Sequence, residues 1–101
     1  MSSVPPQKET DIIGRAISLW EAGKYTLTNH ALLRMKERNV STADIYDCLL
    51  SAQRSEHDDR FRTDFSSWTY SLMGYDENQN QIELIIAFDG KLVFISVVRI
   101  L

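Results

Sequence analysis

The stretch from Ile82 to Leu101 constrains this chain most: two apolar runs flank Asp89-Gly90, and together they read as one β-hairpin. Asp-Gly between such runs is a strong hairpin signal, because both central residues of a type I′ turn need positive φ. A two-residue loop sets the register, with Phe88 facing Lys91, Ile86 facing Val93, Leu84 facing Ile95 and Ile82 facing Val97. One face then carries Ile82, Leu84, Ile86, Phe88, Val93, Ile95 and Val97, an unbroken apolar surface that the rest of the domain must cover. The other carries Glu83, Ile85, Ala87, Leu92, Phe94, Ser96 and Val98. That second face is too apolar to stand fully in water and too polar to be plain core, so it is expected to form a cleft.

Upstream of the hairpin, helical periodicity takes over. Thr10 is expected to cap a first helix that ends at Gly23, with Ile13, Ala16, Ile17 and Trp20 on one side. Lys24 to Leu27 is a connector or short strand. Thr28 caps a second helix from Asn29 to Arg38, with Ala31, Leu32 and Met35 on its apolar side and Asn39 ending it. Ser41 and Asp44 form a capping-box start to a third helix, where Ile45, Cys48, Leu49 and Ala52 follow at i, i+3, i+4 and i+7. Gln53 to Asp64 is densely charged and reads as an exposed edge strand followed by a loop. Ser66 to Tyr75 alternates as a strand, with Trp68, Tyr70 and Leu72 on one face and Thr69, Ser71 and Met73 on the other. Asp76 to Asn80 is a turn. Residues 1–9 include Ser2, Ser3, Pro5 and Pro6 without periodicity and are expected to be a flexible tail, leaving 10–101 as one domain. The expected fold class is α+β: two or three N-terminal helices packed on a curved, three- or four-stranded antiparallel sheet ending in the hairpin.

Composition narrows the function classes. With 101 residues, 44% hydrophobic and 25% charged, the chain has enough apolar material for one self-sufficient core. A net charge of -3 excludes a protein that holds nucleic acid by its overall field and leaves only a local basic patch. One cysteine, Cys48, allows no internal disulfide, and no leader-like opening is seen, so a cytoplasmic location is expected. No apolar run approaches the roughly 20 residues that span a bilayer. Zinc spacing, a glycine-rich phosphate loop and a G-x-S-x-G nucleophile are all lacking, so no metal or cofactor is expected. Cys48 falls on the buried stripe of its helix and reads as a small core residue rather than a reactive thiol.

Two constellations could carry chemistry. His30, Arg34 and Arg38 are spaced by four, so they share one stripe of the second helix. An imidazole that trades protons near neutral pH, beside guanidinium groups that grip phosphate, is the minimum equipment for metal-independent RNA cleavage. The same spacing also suits a solvated helix face. The second constellation is the charged run containing His57, Arg60 and Arg62, with Glu56, Asp58 and Asp59 among them, which equally suits a protected sheet edge. Arg99 stands apart; the hairpin register sets it opposite Asn80, on the core side, where it would bind a ligand or pair with a helix side chain.

The run from Thr28 to Ser41 resembles the H-A-x-x-R-M-x-x-R-x-[IV]-[ST] signature of a small bacterial domain-of-unknown-function family, and Val93 to Arg99 resembles its closing strand in V-x-R. That family is allied by sequence pattern to the RelE-like fold that includes MqsR and BrnT toxins. The resemblance implies a RelE-like domain, metal-independent cleavage of single-stranded mRNA, and neutralisation by an antitoxin protein encoded alongside. On that reading His30 is the acid/base, Arg34, Arg38 and Arg99 are phosphate or structural cations, and His57, Arg60, Arg62 and Glu83 bind substrate. The tyrosine and lysine positions of MqsR-type toxins fall on Glu83 and Val98, an acid and an aliphatic residue here. The alternative implied by that departure is a catalytically degenerate module that holds a partner protein by its Glu83/Ile85/Phe94 face or a sheet edge, homodimerisation included. Either way, the helical row and the hairpin are expected to converge on one concavity.

Overall fold

The computed structural model describes residues 7–64 and 66–100. Three helices run in order, α1 (Ile12–Glu21), α2 (Asn29–Arg38) and α3 (Thr42–Leu50), with a three-residue strand β1 (Tyr25–Leu27) between the first two. After α3 come β2 (Gln53–Arg54), a 3-10 turn at Glu56–Asp58, β3 (Arg60–Arg62), β4 (Ser67–Tyr75), β5 (Gln81–Phe88) and β6 (Leu92–Ile100). Residues 1–6 of the expected tail and Leu101 lie outside the described residues.

Helix boundaries follow local chemistry. Thr28 accepts the Ala31 N–H at 3.1 Å and starts α2, while Asn39 closes it at φ 56°. Ser41 and Asp44 exchange the two bonds of a capping box, at 2.9 and 3.1 Å. The start of α1 differs from expectation: its N-cap is Asp11, at φ 49° and without a side-chain cap bond, so the helix begins at Ile12 instead of following Thr10. Gly23 follows α1 at φ 73°, the left-handed conformation foreseen for it.

The sheet is larger and less uniform than expected. It has six strands in the order β1-β6-β5-β4-β2, with β3 also pairing β4, and β1 runs parallel to β6 while every other pairing is antiparallel. Lys24–Leu27 and the charged run supplied the extra strands; each is three residues or fewer, too short for periodicity to declare.

The hairpin register also differs. Phe88 pairs with Leu92, not Lys91, leaving a three-residue loop in which Gly90 takes φ 67° while Asp89 does not enter the positive region. A three-residue loop with one left-handed glycine replaces the type I′ turn. That one-residue slip exchanges the faces of the first half of β6. Leu92 and Phe94 are fully buried under the helices, and Val93 and Ile95 turn to the opposite face. A bulge between Ile85 and Ile86 then leaves Ile95 as an extra residue, pairing Ile85 with Ser96 and restoring Val97 to the core. The two shifts set Arg99 opposite Ile82 rather than Asn80, on the face originally expected.

All three helices pack on one side of the sheet. The core joins Ile12 and Ala16 of α1, Ala31 and Met35 of α2, and Ile45, Cys48 and Leu49 of α3 to Tyr70, Leu72, Ile82, Leu84, Ile86, Leu92, Phe94 and Val97. Trp20 stacks on Tyr25 at 4.1 Å and meets Phe94 edge-on at 5.6 Å, tying α1 and β1 to the same layer. Among the described residues no helix is long and apolar enough to cross a membrane. Burial pushes the Cys48 thiol up to about 12, as the Gly74 backbone hydrogen bond only partly offsets it. A thiol reagent should therefore label Cys48 only in denaturant; labelling of native protein at the unfolded rate would contradict this packing.

Candidate functional site

Helix α2 is fastened at its N-terminus by Thr28, whose hydroxyl donates to the Phe94 carbonyl at 2.9 Å while its N–H donates to the same oxygen at 3.2 Å. Ala31 and Met35 thereby face β6, and the opposite side of the helix meets solvent. His30 and Arg38 are exposed, and Arg34 is 40% exposed with Glu37 at 3.5 Å. Leu32 and Leu33, at 48% and 56%, flank the row. Leu32 was expected on the apolar side and instead lies outside it. The spacing did predict a shared stripe, and left the exposure of His30 open.

Arg99 does not join that stripe. Its Nη2 donates to Asn39 O and Asp44 Oδ2, both at 3.4 Å, and lies 3.2 Å from Asp76 Oδ2. It thus holds the α2–α3 junction to the β4–β5 turn, the helix-pairing role weighed for it. His30 is one full helix length from Asn39, about 13 Å at 1.5 Å per residue. One phosphodiester cannot bridge Arg99 and His30.

The charged run lies at the far edge of the sheet, three strand spacings or about 14 Å from β6. His57 is exposed, 3.5 Å from Asp58. Arg60 donates to the carbonyls of His57 and Asp59, and Arg62 forks onto Asp64 at 3.0 and 3.2 Å. Strand pairing sets Arg60 beside Thr69 and Arg62 beside Ser67, on the helix-free face that also holds Glu83. There Glu83 sits between Met73 and Val98 and accepts a hydrogen bond from Ser71 at 2.9 Å.

The helical row and the hairpin's partly polar face consequently lie on opposite sides of the sheet, and the expected common concavity is not formed. Phe94, assigned to the cleft face by the two-residue loop, is a core residue under the helices. A hollow of about 350 Å³ on the helix-free side is lined by Ser66, Ser67, Ala87, Phe88, Asp89, Val93 and Ile95, of which Ala87 alone was expected on the cleft face.

Two polar clusters were not found by sequence reading. Asp76 accepts from Asn78 N–H and Asn80 N–H, both at 2.9 Å, and from Asn80 Nδ2 at 3.0 Å. Burial pushes its carboxyl up, but those donors and Arg99 outweigh burial and hold it below the ordinary aspartate range. Asp59, inside the charged run, is 7% exposed and paired with Arg54 and Lys8. The 3-10 turn directs it inward, and nothing in the run's composition marks one acid from its neighbours.

A family model, the domain of unknown function DUF4258, matches residues 27–99, from the end of β1 to Arg99. The chain belongs to that family. No curated protein and no solved structure matches it. The match takes in α2, α3 and the sheet from Leu27 onward, with the row, the Arg99 clamp and Glu83, while α1 and the segment carrying Lys8 precede the matched DUF4258 stretch.

Proposed function

We propose that this DUF4258 domain is a catalytically degenerate relative of RelE-type toxins, and that its working surface is the helix-free sheet face, which holds a partner protein. Three helices on one side of a sheet whose long strands are antiparallel and end in a hairpin support the RelE-like reading. The observation that carries the binding reading is Glu83. It is a half-buried carboxylate between Met73 and Val98 that accepts from Ser71, with Ile85, Val93 and Ile95 further along the same face and no helix over them among the described residues. A carboxylate in such a field repels phosphodiesters and selects a partner that brings a basic side chain amid apolar ones. The test is co-purification with the product of the adjoining gene, the antitoxin-like partner the resemblance implies. Glu83→Lys is expected to weaken the complex by about a hundredfold, within the 2–5 kcal/mol seen for close interfacial charge pairs. A complex indifferent to both Glu83→Lys and Ile85→Asp would overturn this assignment.

A second reading, metal-independent RNA cleavage, is favoured by one specific observation. His30 and Arg38 are exposed on one stripe with Arg34, and neither makes an ion pair among the described residues. Here His30 carries the proton, Arg34 and Arg38 hold phosphate, and Arg99 steadies the helix end. Single-stranded RNA incubated with the protein in chelator decides it: cleavage lost in His30→Ala and Arg34→Ala supports these roles, and cleavage that survives both removes them.

A further inference from the structure

The N-terminal segment from Gln7 to Asp11 crosses the helix-side face of the sheet at the β3–β4 corner. Lys8 ends there in a defined seat. Its Nζ is 3.1 Å from Asp59 Oδ2 and 4.7 Å above the Trp68 ring. The Asp59 side chain is only 1% exposed, and Phe61 braces Trp68 edge-on at 5.7 Å, so the seat's walls belong to the sheet. A buried carboxylate below and an indole face beside it are what a primary ammonium on an apolar stem requires.

Three features separate this seat from an ordinary anchoring ion pair. Asp59 Oδ1 and Arg54 Nε are buried with no partner among the described residues, while Asp59 Oδ2 takes both Lys8 and Arg54. Among the described residues the segment that supplies Lys8 is held to the sheet by Glu9, whose N–H donates to the Tyr70 hydroxyl at 2.9 Å, and a cavity of about 160 Å³ lies among Gln7, Glu9, Trp68 and Tyr70. The seat also lies within residues 27–99 and its occupant outside them, so the acceptor belongs to the family domain and Lys8 to the segment before it.

We propose that Asp59 and Trp68 form a lysine-binding site, filled in cis by Lys8 and available to a lysine side chain of a partner polypeptide when the N-terminal segment lifts. Lys8 is then an internal competitor. A site occupied in cis nine times in ten binds an external ligand about tenfold more weakly.

The experiment uses the full chain with Lys8→Ala and follows the Trp68 indole N–H by NMR during titration with Nα-acetyl-lysine methylamide. Saturable shifts are expected in Lys8→Ala, with wild type about tenfold weaker. The double variant Lys8→Ala/Asp59→Asn should bind no better than background. Should that double variant lose its dispersed spectrum, the norleucine analogue, which keeps the stem and lacks the ammonium, takes its place on Lys8→Ala protein and should leave Trp68 unmoved. No saturable shift in Lys8→Ala, or equal shifts with the norleucine analogue, would overturn the proposal.

Discussion

Gly74→Ala is expected to cost about 3 kcal/mol or more, the upper end for overpacking a core, and to unfold a substantial part of a marginally stable domain. A Cβ at position 74 would lie 2.2 Å from the Cys48 carbonyl oxygen, 2.9 Å from its Sγ and 3.0 Å from its carbonyl carbon. Two of those three atoms are backbone, so no rotamer change relieves the clash and α3 itself must lift off β4. Lifting α3 would disturb Ile45, Cys48 and Leu49, which are fully buried together, and the Cys48 Sγ contact to Ile82 O at 3.4 Å. Urea unfolding reads the effect. Gly90→Ala is the control: it meets open space and has only its φ of 67° to oppose it, a penalty of about 1 kcal/mol. Equal midpoints for Gly74→Ala and wild type would mean that α3 and β4 do not approach this closely.

Arg99→Ala is expected to cost about 2 kcal/mol, the range for hydrogen bonds to charged partners, discounted because its side chain is 19% exposed. It also changes the pH dependence. The Asp76 carboxyl is held below its ordinary value, so the stabilisation it gives is complete above the unfolded aspartate pKa of about 3.9 and is lost as pH falls through the folded value. Removing Arg99 takes away one of the effects that lower this pKa, while burial, which raises it, stays. Acid unfolding should therefore begin at a higher pH in Arg99→Ala, and Arg99→Lys should recover part of the difference. Urea midpoints at neutral pH and at about one pH unit below the unfolded aspartate value measure both effects; an unchanged acid limb in Arg99→Ala would show that Asp76 does not depend on this cation.

The helices were legible in the sequence because their signals are local. Thr28, Asn39, Ser41 and Asp44 act within four residues of where they stand, and the structure uses each for the end it marks. The hairpin was legible in kind but not in phase. Asp89-Gly90 fits a two- or a three-residue loop, and the choice exchanges Leu92 and Phe94 for Val93 and Ile95 on the core face. Nothing in the apolar run from Leu92 to Val98 announces the bulge that later restores the phase. The candidate site depended on that phase, so His30, Arg34 and Arg38 were correctly placed on one stripe while their meeting with the Glu83 face was not. Asp59 and Asp76 escaped notice because their burial comes from a 3-10 turn and a tight loop, and acids in charged or turn-like stretches ordinarily face water.

The parallel pairing of Tyr25–Leu27 with Leu92–Phe94 has a consequence for the order of assembly. β6 is the latest of the described strands to be made, yet it lies between β1 and β5, so α2 waits for the strand that accepts the Thr28 bonds. During synthesis the helices must persist as a loosely associated group, their oily sides unprotected, until residues some seventy positions onward emerge. Slow translation or an early stop before Leu92 should thus release a sticky, chaperone-dependent fragment rather than a smaller folded unit.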